Sequence, residues 1–317
     1  MKALLVDVDS KIPNPALMKI ARAHKLEGDL VYLRRVRNGS ITFPYVEPDK
    51  VYMSCVFPQN RTTTLRIAES FSCEVEVGGY GVNDKQLPDR IEHLMPYYQL
   101  YRIEYSMGFS SRGCIRTNRD CPWCIIPKME GKIRDHAPIS EFLHPKHRKL
   151  VLLDSNFLAS PRCMENLEFM VKNRLEVNFN QGLDIRLVNN ENAKWLGLVK
   201  YRTFTFRTPL LQFSFDMPDL EQDVRRGVAT LKKHGVPPYN LRVLFLTGFN
   251  TTHKEDMHRF NVIRELGANP YCMKYNDQSN DLWLNHFDRW VNTHPPLYKV
   301  CSFQDYKPML KLETVQK

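Results

Sequence analysis

Three cysteines within eleven residues, Cys114, Cys121 and Cys124, carry the strongest chemical signal in this chain. They follow the run Ser106 to Gly113 with the spacing C-x6-C-x2-C, and Trp123 stands directly before the last of them. Thiolates are soft ligands that select iron–sulfur clusters, zinc or copper, so residue type alone does not choose the metal. Three of them can hold three corners of a four-iron cluster and leave the fourth iron without a protein ligand. An open position is what separates a reactive metal site from a structural one. Structural zinc wants four ligands, usually as two spaced pairs, and no fourth cysteine lies nearby. His136, twelve residues downstream of Cys124, could complete a Cys3His site, so zinc stays open.

The rest of the composition limits where such chemistry operates. The chain has 317 residues, 43% hydrophobic and 25% charged, which is ordinary for a globular protein with a sizeable core. Cys55, Cys73, Cys163, Cys272 and Cys301 are scattered and read as small apolar core residues rather than a disulfide framework. No apolar run approaches the ~18 residues of a membrane-spanning helix, and the apolar start is broken by Asp7 and Asp9. A reducing, cytoplasmic setting without membrane association is therefore expected. The net charge of +10 favours an anionic partner, nucleic acid among them, but the basic residues are dispersed and fit solvated faces equally well.

The elements that must position the cysteines follow a strand–helix rhythm. Residues 2–9 suit a strand buried on both faces of a parallel sheet. Pro13 and Pro15 introduce a helix that Gly28 ends, and strands are expected at Asp29–Arg35, Val51–Phe57 and Cys73–Val77, with a helix at Thr64–Phe71. This order predicts an α/β fold, a doubly wound parallel sheet over residues 1–98. Gly78-Gly79-Tyr80-Gly81 lacks the dinucleotide fingerprint and reads as a tight turn or a ligand-facing loop. A linker is expected at Met95–Tyr98. Beyond it strands recur at Arg102–Phe109, Lys149–Asp154, Leu175–Phe179, Tyr201–Phe206 or Leu211–Phe215, Leu241–Thr247 and Pro270–Tyr275. Polar groups follow several of them, as ligand residues do in βα folds: Asp154-Ser155-Asn156, Asn178 to Arg186, and Gly248-Phe249-Asn250. A helix cap or turn explains Asp154-Ser155-Asn156 as well as a ligand contact does. Asp184 and Arg186 could simply pair, and Lys128 and Glu130 read as surface residues. The aromatic run Trp283–Tyr306 could stack bases but fits an amphipathic capping helix more simply.

The stretch Gly108-Phe109-Ser110-Ser111-Arg112-Gly113-Cys114 to Pro122-Trp123-Cys124-Ile125-Ile126-Pro127 resembles the cluster loop of the radical S-adenosylmethionine (radical SAM) superfamily. The likeness extends through Lys128 to Arg134, Leu153 to Leu158 and Asn180 to Arg186. With the N-terminal sheet, the chain is similar to members that carry a cobalamin-binding-like domain (1–98) ahead of a partial (β/α)6 barrel with a C-terminal helical cap (99–317). The family's usual spacing is C-x3-C-x2-C, so Ile115 to Asp120 is a longer first gap. Doubling a loop costs only ~0.6 kcal/mol of closure entropy, against metal–thiolate binding on the order of 10 kcal/mol. Thr117, Asn118, Arg119 and Asp120 are expected to bulge outward.

The resemblance implies that Cys114, Cys121 and Cys124 ligate a [4Fe–4S] cluster whose fourth iron takes S-adenosylmethionine. Reductive cleavage then generates a 5′-deoxyadenosyl radical that acts on a substrate the sequence does not name. Asp154, Ser155 and Asn156 would meet the cofactor's methionine part, and Gln181, Asp184 and Arg186 its ribose or carboxylate. Trp123 and Ile125 would pack near the cluster and adenine. A low-potential electron donor of flavodoxin or ferredoxin type is the implied partner. The loop is also similar to that of methylthiotransferases, but Cys55 and Cys73 alone cannot supply their second three-cysteine cluster. Cobalamin normally needs a histidine in an Asp-x-His-x-x-Gly loop, which this chain lacks. The non-enzymatic rival is a zinc-bearing nucleic-acid-binding protein using Cys114, Cys121, Cys124 and His136.

Overall fold

The computed structural model describes residues 1–41, 47–275 and 280–306. The chain packs as two compact units, 1–109 with 137–150, and 110–136 with 151–317. Both are α/β with parallel sheets.

The first unit is built on β1 (Lys2–Asp7), buried from Ala3 to Asp7 as its unbroken apolar run requires. It is followed by α1 (Pro15–Leu26), β2 (Leu30–Arg35), β3 (Lys50–Ser54), α2 (Arg61–Ala68), β4 (Glu74–Gly78), α3 (Asp89–Glu92) and β5 (Ser106–Gly108). The sheet order is β2-β1-β3-β4, parallel throughout. Strand side chains alternate between faces, and each face of β1 meets its own helix. Leu5 packs with Leu17, Ile20 and Ala21 of α1, while Leu4 and Val6 pack with Val51, Met53 and Ile67 of α2. Asn14 caps α1 by accepting from the Leu17 amide, and Pro15 takes the first turn, where its missing N–H costs nothing. The glycine run after β4 is a tight turn: a Cβ on Gly79 would lie 2.3 Å from the Cys55 carbonyl oxygen.

Two expectations needed revision here. The strand read at Arg102–Phe109 shrinks to Ser106–Gly108, because Arg102 takes a positive φ of 54° in a turn. The linker read at Met95–Tyr98 is packed: Tyr98 is 4% exposed, and its hydroxyl donates to the Phe142 carbonyl and accepts from the Met107 amide. His24 is buried and structural, with Nδ1 2.7 Å from Asp29 and Nε2 3.0 Å from the Tyr52 hydroxyl.

The chain then passes through β6 (Ser111–Arg112), α4 (Ile126–Met129) and β7 (Arg134–Asp135) of the second unit, and through α5 (Ile139–Phe142) of the first. From β8 (Lys149–Leu152) onward strand and helix alternate: α6 (Cys163–Lys172), β9 (Glu176–Phe179), α7 (Asn190–Leu198), β10 (Lys200–Tyr201), β11 (Leu211–Ser214), α8 (Glu221–Lys233), β12 (Leu241–Thr247), α9 (His253–Glu265), β13 (Asn269–Lys274) and α10 (Leu282–Asn292). Strand β9 lies between β10 and β8, and β11, β12 and β13 form a second parallel sheet. A parallel bridge from Leu183 to Phe213 joins the chain after β9 to β11. Of the two alternatives after residue 200, Leu211–Phe215 forms β11, whereas Tyr201–Phe206 keeps only Tyr201 in β10 and turns at Phe206, whose φ is 58°. The aromatic C-terminal run is core: Phe287 and Trp290 of α10 pack with Phe260 and Phe303. The helix stops at Asn292, well short of Tyr306, because Pro295 and Pro296 follow. Among the described residues no helix is long and apolar enough to cross a membrane.

Candidate metal centre

The cysteine loop hangs from a clamp. Strands β6 and β7 pair antiparallel through Ser111–Asp135 and Arg112–Arg134, and Cys114 bridges to Lys132. The Cys114 amide donates to the Gly131 carbonyl at 3.2 Å, and the Ile133 amide to the Cys114 carbonyl at 3.2 Å. This closeness requires Gly113, which has a φ of 80° and whose added Cβ would sit 2.3 Å from the Lys132 carbonyl oxygen. Inside the clamp, the longer first gap folds as a turn of its own. The Thr117 amide and hydroxyl both donate to Asp120 Oδ2, at 2.8 and 2.9 Å, and Thr117 to Asp120 are exposed as expected.

All three cysteines line one cavity of about 250 Å³, together with Trp123, Ser155, Asn156, Gln181, Asp184 and Arg186. Burial pushes the Cys121 thiol up, with the Arg186 guanidinium 3.9 Å away pulling it back. Burial likewise raises Cys124, against a hydrogen bond from the Ile126 backbone. The Asn156 side-chain amide donates to Cys114 Sγ at 3.3 Å, and the Arg116 amide donates to the same sulfur at 3.4 Å.

Asp184 and Arg186 do pair, and they remain in the cavity wall. Arg186 Nε and a terminal nitrogen donate to the two Asp184 oxygens at 2.7 and 3.0 Å. Arg116, which the sequence did not single out, adds a third contact at 3.1 Å. Burial raises the Asp184 carboxyl, but the two guanidinium groups hold it below the usual carboxylate range. Its Oδ1 also caps the short turn Ile185–Leu187 by accepting from the Arg186 amide.

Asp154, Ser155 and Asn156 divide their tasks. Asp154, 2% exposed, is not in the cavity wall; it accepts from the amide and hydroxyl of both Ser110 and Ser111 at 2.5–3.1 Å. It anchors the strand that delivers Cys114, and burial pushes its carboxyl up against those four donors. Ser155 donates to Glu130 at 2.9 Å. Asn156 is buried in the wall, with its Oδ1 unpaired among the described residues. Glu130 is no surface residue. It also accepts from Arg112 at 2.8 Å and from the Gly113 amide at 2.9 Å, which together with Ser155 overcome its burial and hold its carboxyl low. Lys128 is exposed, as a surface residue would be.

Trp123 meets Phe249 edge-on at 5.4 Å, and Phe249 meets Tyr275 at 4.6 Å, so the ends of β12 and β13 support the indole. Ile125 is 61% exposed and lies outside the wall; Ile126 and Pro127 take that place. His136 follows β7 at the clamp, where its amide donates to the Ser110 carbonyl, and it is not part of the wall.

Two further residues had no local signal. Asp216, just after β11, lines the cavity, and its Oδ1 has no partner among the described residues. Burial pushes its carboxyl up to about 6, with Arg259 and Arg186 opposing. Arg259, 0% exposed, donates to the carbonyls of Phe215, Asp216 and Leu246 and to Asp256, tying the ends of β11 and β12 together.

Among the described residues the cavity wall holds three thiols and neither a fourth thiol nor a histidine, with the Asn156 and Asp216 Oδ1 atoms unpaired, a donor set compatible with a cluster held by three thiolates. Among the described residues the three sulfurs do not all lie within 4.8 Å of one another. No family model, curated protein or solved structure matches the chain.

Proposed function

We propose that the chain is a radical SAM enzyme, with Cys114, Cys121 and Cys124 holding a [4Fe–4S] cluster and S-adenosylmethionine at its open iron. In this reading the two sheets of the second unit belong to a partial (β/α)6 barrel, and the first unit is a cobalamin-binding-like domain. The observation that carries the proposal is the shared cavity, which gathers three thiols, the orphaned Asn156 Oδ1 and the Asp184–Arg186 pair. When bound, the pair of cofactors supplies reductive cleavage of the sulfonium and a 5′-deoxyadenosyl radical that takes a hydrogen atom from substrate.

The chain's own groups orient and tune. The Asn156 amide, hydrogen-bonded to Cys114 Sγ, and the Arg186 guanidinium, near Cys121 Sγ, place positive density beside ligand sulfurs, which favours the reduced cluster. Asn156, through its unpaired Oδ1, would hold the methionine part of the cofactor, and Arg186 and Gln181 its carboxylate or ribose. The edge-on contacts of Phe249 with Trp123 and Tyr275 brace the indole in the cavity wall. Ser155 acts through Glu130, which fixes Gly113 and hence Cys114, and Asp154 fixes the preceding strand; both are positioning residues.

Cobalamin stays outside the proposal, because His24 has both ring nitrogens engaged and its motif is missing. The zinc reading is the weaker one. Tetrahedral zinc at about 2.3 Å from each sulfur brings sulfurs about 3.8 Å apart, a closer grouping than this one, whereas a cubane's iron corners ask for a wider spread. The net charge of +10 favours an anionic substrate, a nucleotide or nucleic acid. A flavodoxin- or ferredoxin-like protein would supply the electron.

Anaerobic reconstitution tests this directly. The expected product is a brown protein with about four irons per chain that releases 5′-deoxyadenosine once reduced. Cys121→Ala should lose cluster loading and that release together. A colourless protein holding one zinc would support the rival instead.

A further inference from the structure

We propose that the first unit carries a second site, a cavity that binds a small phosphate ester of nucleoside-monophosphate size. It encloses about 450 Å³ between Arg22 of α1, Tyr97, Glu104, and the turn bearing His144, Lys146 and His147. That volume lies in the range of roughly 300–1,000 Å³ found for small-molecule sites. It is independent of the metal centre and of the reaction proposed there.

The two histidines are held by one buried hydroxyl. Ser106, wholly buried, accepts the His144 amide on its Oγ at 2.9 Å, and the same Oγ shares a hydrogen bond with His147 Nδ1 at 3.1 Å. The Lys146 amide donates to His144 Nδ1 at 3.3 Å. Both rings are thereby fixed through Nδ1, which leaves each Nε2 free to meet a ligand. The rings lie 4.7 Å apart, with the buried Tyr98 ring 5.2 Å from His147 and 6.4 Å from His144. Among the described residues no partner is recorded for either Nε2, for Lys146 Nζ or for the Arg22 guanidinium.

Arg22, Lys146 and the two histidines thus line one cavity beside a single carboxylate, Glu104. A phosphate monoester matches that set, because it offers several charged acceptor oxygens to a planar guanidinium, an ammonium and the imidazole beside them at once. An uncharged ligand would leave the two cations unused. The cavity exceeds what one phosphate group fills, and Tyr97 and Glu104 supply an apolar face and a hydroxyl acceptor for the rest of the ester.

Calorimetric titration of the full chain with adenosine 5′-monophosphate, inorganic phosphate and adenosine tests the site. Saturable binding of the monophosphate is expected, with adenosine silent and the free ion weaker. Arg22→Ala and Lys146→Ala are both outside the core, and each should weaken binding about tenfold or more while the circular dichroism is unchanged. Binding of inorganic phosphate alone, equally sensitive to these substitutions, would keep the anion site and assign it to the free ion. Absence of saturable binding at millimolar ligand, or binding that both substitutions leave untouched, overturns the proposal.

Discussion

Glu130 shows how a charged side chain with a surface-like sequence context becomes structural. It receives donors from Arg112, Gly113 and Ser155 and is nearly enclosed. Buried charge-assisted hydrogen bonds contribute about 1.5–3 kcal/mol each, so Glu130→Gln should destabilise the chain by about 2 kcal/mol in thermal or denaturant unfolding. A loss of about 0.5 kcal/mol or less would return Glu130 to the surface class. Asp216 gives a pH-dependent counterpart. Its folded pKa of about 6 lies above the ordinary 3.8, so the folded state prefers the protonated acid. The associated stability is present below pH 4 and is lost as pH rises through about 6. Asp216→Asn should therefore gain stability relative to the parent across that interval, by on the order of 2 kcal/mol at neutral pH. Equal pH profiles for the two proteins would contradict the buried-acid assignment. The cysteines, Ser155, Asn156, Gln181, Asp184 and Arg186 were legible because they cluster near strand ends or in one short motif. Glu130, Asp216 and Arg259 were not, since what makes each of them matter is a partner brought near by folding.

The cysteine loop works as an element because its base is closed before its tip matters. The β6–β7 pair and the Cys114–Lys132 bridge set the entry and exit of a loop whose first gap is six residues long. The Thr117–Asp120 turn absorbs those residues without disturbing the sulfurs. Gly113→Ala attacks the base: the positive φ is strained for alanine, and its Cβ would collide with backbone that cannot move aside. This variant should keep the far-ultraviolet circular dichroism of the parent and lose most of its iron on reconstitution. Full iron loading would show that the clamp does not position Cys114. Strand positions followed from runs of apolar residues, as in β1 and β12. Helix ends followed from proline and caps less evenly. Pro13 and Pro15 marked the start of α1, whereas the aromatic run after Trp283 suggested a helix through Tyr306 that Pro295 and Pro296 end early.

Across the chain, the parallel α/β architecture of both units was readable from the alternation of strand and helix. The interleaving was not. Residues 137–150 pack with 1–109 because Phe142 and the His144–His147 turn meet Tyr98 and Ser106, pairings more than thirty-five residues apart that no local pattern announces. This interleaving places the second cavity and the metal centre in different units, so loss of iron should leave phosphate binding in place. Nothing in the fold alone selects the reaction, because α/β sheets host many chemistries. The cysteine cavity must carry that conclusion, through the open corner proposed for its cluster. Electron paramagnetic resonance of the reconstituted, reduced protein, recorded with and without S-adenosylmethionine, addresses that corner. A cluster signal whose g-values change when the sulfonium compound is added is the expected result. A signal indifferent to it, or no cluster signal at all, would contradict the assignment of an open iron held by Cys114, Cys121 and Cys124.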